Sequence, residues 1–519
     1  MTAPDFPVAT RFVDTESGFT LDISRMQLDP EGLRALILRQ DGLDRSPMER
    51  AHEEMVGLEN GKVKNPDEGR AVTHFTDRIG YTDSALFRAV EAFASDVREG
   101  VLQGSGGPFE SVIVNGIGGS ALGPQLVQFA LNGPYWNEKS RDGRAGYPRF
   151  YLIDNTDPAG IADVLEVADL STTLVVTVSK SGRTRETLNN MMAFEQAYQA
   201  RGLDFGRHAA AVTMEDSDLD RHARGDNWLH VFPMAESIGG RTSETNIVGH
   251  VPAALTGVDF ARFLAGACHM DDLTREEDIN LNPAYLLAAA WFVAGNGHGD
   301  RNMVVVPYSD RLILFTRYLQ QLVMESLGKE RDLDGNIVHQ GLTVYGNKGG
   351  TDAHAYIQQL NDGRDDFFVT FIEVLKDAEA IAVGDDLEMG DYLHAFKAGL
   401  VNALSSKGRK VSELVVEELD EFSLGMLIAL YERAVAVYAE LIHINAFHQP
   451  GVEAYKSASR KINDLHGDLR EWLGTLGPDE WEGSAAELAE AMGVENRARE
   501  LEGLLSRIAV NERVIANRT

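Results

Sequence analysis

Two segments of this 519-residue chain carry glycines and hydroxyls at a spacing that suits an anion. The first, VIVNGIGGSALGPQLV at residues 112–127, runs an apolar stretch into Gly116, Gly118, Gly119 and Ser120 and then into a helical pattern. Glycines at a strand-to-helix turn let the backbone approach an anion, and the helix N-terminus favours negative charge. The second, TVSKSGRTRETLNN at residues 177–190, offers the hydroxyls of Ser179, Ser181 and Thr184, the cation of Lys180, and Gly182 for a tight turn. That is a dense donor set for a phosphate. Other readings stay open. The first segment could be a dinucleotide loop with Ala121 in the last glycine position, but the acidic residue expected about 20 positions on is missing and Asp154 lies too far along. Its glycines could also serve packing alone, and the second segment could be a serine-rich helix cap, although one hydroxyl would suffice for that.

The elements that must position these segments follow from the hydrophobic pattern. Residues 1–108 read as mainly helical, with apolar residues at helical spacing around 33–37 and 85–97. From 109 the pattern alternates. Short runs rich in Val and Ile at 111–114, 150–153, 173–178, 209–212 and 229–232 are separated mostly by helix-length stretches, which predicts a parallel sheet covered on both faces. A second set follows at 303–306, 342–345 and 367–374, with a helix at 311–327. The linker between the sets is expected near 260–290, carrying the charged run Asp271–Asp278 and then a helix from about Pro283 to Ala294, and the chain after Val374 reads as mainly helical. Near the C-terminus, Ser484 and Glu487 form a capping-box pattern, and Gly493 is the expected stop.

Both loops follow strands of what reads as one sheet, and open α/β sheets bind ligands at such strand ends. The pair GIGGSALGP and SKSGRTRET resembles the sugar isomerase domain, in the wording of the glucose-6-phosphate isomerase family. Four further segments are similar to that family, in its order. They are GGRTSETNIVG at 239–249, QLVMESLGK at 321–329, GGTDAHAYIQQLNDG at 349–363 and INAFHQPGVEAYK at 444–456. The resemblance spans about 110–460 and implies an α/β fold of two flavodoxin-like, parallel-sheet sugar isomerase domains with helical N- and C-terminal extensions. The boundaries read as 1–108, 109–265, 266–450 and 451–519.

Aldose–ketose isomerisation needs a base near the carbon-bound proton and a positive group near the enediolate oxygens. The resemblance implies that Glu325 is that base and Arg241 that cation. It implies that His354 and Lys456 open the sugar ring, with Glu186 orienting the histidine. It places Gly119, Ser120, Ser179, Lys180, Ser181 and Thr184 at the phosphate, and Gln321 and Gln449 on the substrate. A homodimer is implied, with His354 given across the interface, and a place in glycolysis and gluconeogenesis. The sequence departs from the family pattern at Leu327, His448, Pro450 and Tyr455, which leaves each catalytic residue type in place.

Composition narrows the class. The net charge of −32 repels nucleic acid and anionic membranes, and it would also repel a phosphorylated substrate unless local donors and one or two cations hold it. No apolar run is long enough to predict a membrane span, and no secretory signal is read at the N-terminus. Cys268 is the single cysteine, so no internal disulfide can form and a cytoplasmic location is expected. No metal or other cofactor is expected, because no close ligand pairing such as H-x-x-x-H appears. An amidotransferase half-enzyme is disfavoured, since residue 2 is Thr where a cysteine nucleophile would stand. A sugar-phosphate-sensing regulatory protein of the same fold is the remaining alternative.

Overall fold

The computed structural model describes residues 8–39, 42–66, 68–384, 386–476 and 483–511; Thr2 falls outside them. They divide into two compact units, residues 1–448 and 449–519.

The first unit begins with a feature the helical reading of its N-terminus lacks. Strands β1 (Arg11–Asp14) and β2 (Phe19–Asp22) form an antiparallel hairpin. Five apolar runs then build one fully parallel sheet: β3 (Ser111–Asn115), β4 (Arg149–Ile153), β5 (Thr173–Val178), β6 (Ala209–Thr213) and β7 (His230–Pro233). Each matches an expected run to within a residue or two. The order is β4-β3-β5-β6-β7, which is the 2-1-3-4-5 winding of flavodoxin-like sheets. Ligands bind such sheets where the winding reverses, at the carboxyl ends of the first and third strands. Here those strands are β3 and β5, paired in register from Ser111↔Thr173 to Asn115↔Thr177. Each runs into one of the two candidate anion loops. Helix α1 (Gly119–Asn132) follows β3, and α2 (Arg185–Ala200) follows the loop after β5.

The stretch read as a linker holds the expected helix, α4 (Pro283–Ala294), and before it a further core helix, α3 (Phe260–Leu273). The second sheet comprises β8 (Asn302–Tyr308), β9 (Val344–Tyr345), β10 (Phe367–Val374) and β11 (Lys410–Val416), with the N-terminal hairpin. Its order is β1-β2-β11-β10-β8-β9. The parallel part repeats the 2-1-3-4 winding of the first sheet, and β2 closes the edge antiparallel to β11, with Leu21 opposite Leu414. Strand β11 interrupts the region read as mainly helical.

Helix α5 (Glu421–Leu441) is buried along most of its length, from Ser423 to Ala439. It is long and apolar enough to cross a membrane, but 94% of that window is covered by the rest of the fold, which identifies a core helix. Two charged residues sit inside it. Glu432 accepts from Arg78 Nη1 at 2.8 Å, and Arg433 pairs with Glu59 at 2.5 Å. Removing one partner of such a buried pair costs about 3–5 kcal/mol, so these pairs fix which way α5 faces. Cys268 lies half-buried on α3, where burial pushes its thiol above the ordinary value, as befits a packing residue.

The second unit holds α6 (Pro450–Thr475), α7 (Ala485–Ala491) and α8 (Ala498–Val510) around a small core of Leu465, Leu469, Leu488, Ala489 and Leu501. Ser484 and Glu487 form the expected capping box, and Gly493 takes the expected left-handed conformation at φ 68°.

Candidate active site

The first glycine loop leaves β3 and enters α1, which starts without a side-chain cap at its N-terminus. Gly118 needs its glycine, since its φ is +60°. Gly119 needs its own for a different reason. A Cβ there would lie 1.7 Å from the Gly240 carbonyl oxygen, and one at Gly123 would lie 2.5 Å from Glu244 Cβ. Helix α1 therefore packs directly on the loop that carries Arg241. Packing and anion approach are both served by this run, so the two readings of it are compatible. Gly119→Ala is expected to lower stability by about 1–3 kcal/mol through overpacking, whereas Gly160→Ala, where a Cβ meets nothing within 4 Å, should change little. Thermal unfolding checks this; equal melting temperatures for the two variants would refute the close approach.

The second loop is shaped by its own hydroxyls. Gly182 N–H donates to Ser179 Oγ at 3.2 Å, and Arg183 N–H donates to Ser181 Oγ at 3.2 Å. Thr184 occupies the N-cap of α2 and makes no side-chain cap bond. Lys180 Nζ donates to the carbonyls of Glu236 and, at 3.0 Å, Ile238. It thus ties the loop to the segment leading into Arg241. Burial, assisted by the nearby Arg70 cation, brings Lys180 down to about 8.

Glu325 and Arg241 meet beside the first glycine loop. The expected helix over 311–327 is broken into a short 3-10 turn, an α-helical turn at Phe315–Leu319 and a π-helical turn at Gln320–Glu325. Such π turns concentrate at functional sites. Within it, Gln321 Nε2 donates to Glu325 Oε2 at 3.2 Å. Gln321 Nε2 also lies 3.1 Å from where a Gly118 Cβ would stand, which brings the glutamate helix against the glycine loop. Arg241 Nε lies 3.5 Å from Glu325 Oε2. The rest of its guanidinium donates to Ser326 Oγ at 3.0 Å, Ala446 O at 2.9 Å and His448 O at 3.3 Å. Burial pulls Arg241 below its ordinary value and Glu325 opposes this; an arginine stays charged regardless.

Lys329 was not singled out in the sequence. Its Nζ donates to Glu325 O and Ser326 O, both at 2.7 Å, so it caps the carbonyl end of the Glu325 turn. Burial, reinforced by Arg241, brings it down to about 7. The available signal was its position four residues after Glu325, at a helix end without another cation in its last turn. Arg70 was missed as well. Its Nη1 donates to Ser237 O at 3.2 Å, and its charge is felt at both Lys180 and Arg241. Arg70, Arg241 and the mostly protonated Lys180 thus gather local positive charge in a chain of net charge −32, with Lys329, near 7, only partly charged beside them.

His354 is exposed at the end of the turn Asp352–His354, and Glu186 is half-buried in the first turn of α2. Among the described residues neither side chain makes a hydrogen bond or ion pair. Ser120 is half-buried as the second residue of α1. Gln449 and Lys456 belong to the second unit, where Gln449 precedes α6 and Lys456 pairs with Glu453 at 2.8 Å. The one metal-compatible group among the described residues, Glu195, His222 and Asp226, involves none of the predicted site residues.

The phosphoglucose isomerase family model matches residues 22–471. A Geobacter sulfurreducens protein named glucose-6-phosphate isomerase is 47% identical over 517 residues, covering 96% of this chain and 93% of that protein. Its namesake from Nostoc punctiforme is 43% identical over 512 residues, covering 96% and 93%. The crystal structure of a glucose-6-phosphate isomerase from Chlamydia trachomatis aligns with a TM-score of 0.75 at 29% identity, covering 88% of this chain and 92% of that one. Two flavodoxin-like windings, a glycine loop pressed against an arginine loop, and a glutamate facing that arginine all lie within the matched residues, and the chain belongs to the phosphoglucose isomerase family.

Proposed function

We propose that this chain interconverts D-glucose 6-phosphate and D-fructose 6-phosphate by ring opening and proton transfer through a cis-enediol(ate), the aldose–ketose step of glycolysis and gluconeogenesis. One observation carries the reading. The Glu325 carboxylate faces the buried Arg241 guanidinium at 3.5 Å, and Gln321 holds the same carboxylate oxygen. A base that moves a proton between two adjacent carbons and a cation beside their oxygens are what an enediolate requires. Arg241 is 8% exposed, so its charge is weakly screened where the enediolate forms.

The phosphate is assigned to Ser120, Ser179, Ser181 and Thr184, the Gly119 backbone and Lys180. With its value near 8, Lys180 is mostly protonated at neutral pH, and a bound dianion would favour that state further. Gln321 and Gln449 are assigned to sugar hydroxyls. His354 and Lys456 are assigned to ring opening, with Glu186 orienting His354. In this reading the chain acts as a cytoplasmic homodimer in which His354 completes the partner's site; its exposure and lack of a side-chain partner among the described residues are compatible with that role. Every step moves protons only, so acids, bases and a fixed cation are sufficient without a metal or redox cofactor.

The test is conversion of fructose 6-phosphate followed through glucose-6-phosphate dehydrogenase and NADP. Steady NADPH formation, unchanged by a chelator, is expected. Tight sugar-phosphate binding without turnover would transfer the chain to the regulatory alternative, and metal-restored activity after chelation would overturn the proton-only mechanism.

A further inference from the structure

Near Arg241 lies a group of buried acids for which the proposed mechanism has no use. Glu244 is 1% exposed and Glu432 is 2% exposed. Two residues separate Arg241 from Glu244 along one tightly packed loop, whose Glu244 carbonyl would lie 1.9 Å from a Cβ placed at Gly249. Tyr318 O–H donates to Glu244 Oε1 and also lies 3.4 Å from the Arg241 carbonyl oxygen.

The surrounding charges are already matched. Arg78 binds Asp271 twice, at 2.6 and 3.0 Å, and Glu432 at 2.8 Å. Arg433 binds Glu59 at 2.5 Å and approaches Asp271 at 3.4 Å, and Arg275 binds Glu59 at 2.9 Å. Three arginines thus face the three covered carboxylates Asp271, Glu432 and Glu59, with the exposed Asp272 a further partner of Arg275 at 2.8 Å. Glu244 is a fourth carboxyl, in contact with a tyrosine hydroxyl and with Glu432. Glu432 Oε2 is taken by Arg78, while its buried Oε1 accepts no hydrogen bond from any ordinary donor among the described residues. An orphaned buried carboxylate oxygen is costly, and a protonated Glu244 beside it supplies the missing donor.

We propose that Glu244 is a neutral carboxylic acid that donates its proton to Glu432, accepts from Tyr318, and acts as a positioning residue for Arg241. The inference rests on the isomerase reading only for its catalytic consequence. Independently, burial and then the charge of Glu432 hold Glu244 well above the usual carboxylate range. The groups that face it are Tyr318 from the turn before Glu325, Glu432 from α5 and, beyond these, Arg78 and Asp271. The chain Tyr318 O–H to Glu244 O–H to Glu432, closed by Arg78, anchors the loop on which Arg241 points at Glu325.

The test compares Glu244→Gln with Glu244→Ala. Glutamine keeps one donor and one acceptor without charge, so kcat is expected within about threefold of wild type. Alanine leaves Glu432 Oε1 orphaned and loosens Arg241, so kcat should fall at least about tenfold, measured well below the melting temperature, with KM changed less than about threefold, because Arg241 acts on charge that develops in the transition state. If Glu244→Ala does not fold, Tyr318→Phe takes its place with a smaller fall in kcat and the same unchanged KM. A second readout does not depend on the activity. The infrared difference spectrum of wild type minus Glu244→Gln should contain the carbonyl stretch of a protonated carboxylic acid. Absence of that band, or a Glu244→Gln variant as impaired as Glu244→Ala, would overturn the proposal. The band without isomerase activity would leave the proton in place and refute the functional reading instead.

Discussion

Glu325→Gln is expected to lower kcat by at least about a hundredfold, the lower end of what one general base contributes, while KM changes little. The substitution keeps the volume and a hydrogen-bonding oxygen near Gln321, which now donates to Glu325 Oε2 at 3.2 Å. It removes the proton acceptor and one partner of Arg241. The arginine keeps its bonds to Ser326, Ala446 and His448, so its position should survive. The backbone of the turn should survive too, because Lys329 holds the carbonyls of residues 325 and 326 and not the side chain. A loss confined to kcat with an unchanged melting temperature therefore reports lost chemistry and not a lost fold. Near-normal turnover would remove Glu325 from the mechanism.

His354→Ala should separate ring opening from isomerisation. Turnover of the cyclic sugar phosphate is expected to fall by about a hundredfold or more, since an acid or base contributes only to the step whose proton it moves. Erythrose 4-phosphate cannot close a ring through its phosphorylated oxygen, so it bypasses that step. Its isomerisation, or the exchange of its C2 proton with deuterated solvent, should be far less sensitive to His354→Ala and fully sensitive to Glu325→Gln. The structure supplies a reason to expect a clean variant. The turn that presents His354 is anchored by buried Asp352, whose carboxylate accepts from Asn347 N–H at 2.8 Å and Tyr356 O–H at 2.5 Å. The exposed imidazole can be removed without loosening that anchor. Equal losses for both substrates would show that the roles are not divided in this way.

Much of the frame was legible from local pattern. The strands of the first sheet announce themselves as β-branched runs flanked by glycine and helix, and β3 and β5 were found with the two donor-rich loops at their ends. The capping box at Ser484 and the stop at Gly493 were legible for the same reason: each depends on residues within one turn of one another. Glu325 and Arg241 were named through the resemblance, 84 positions apart in a sequence that gives no measure of their distance.

The omissions share one cause. The strands of the β1–β2 hairpin have only four residues each, and they persist because they extend the edge at β11, some 390 positions away; no local periodicity marks them. Strand β11 lies between two longer helical stretches whose pattern dominated the region. Gly119 is a turn glycine by sequence, and only the fold shows a carbonyl of the arginine loop standing where its Cβ would be. Lys329 and Glu244 look like surface charges in a linear reading, and both are buried because the glutamate turn, the arginine loop and α5 converge on them. The sequence by itself determined the order of elements, the chemical types available and the family, because those are encoded in near neighbours. Tertiary structure alone decided which charges lose their water and which partners then hold them, because desolvation and pairing depend on segments that meet only after the two sheets have formed.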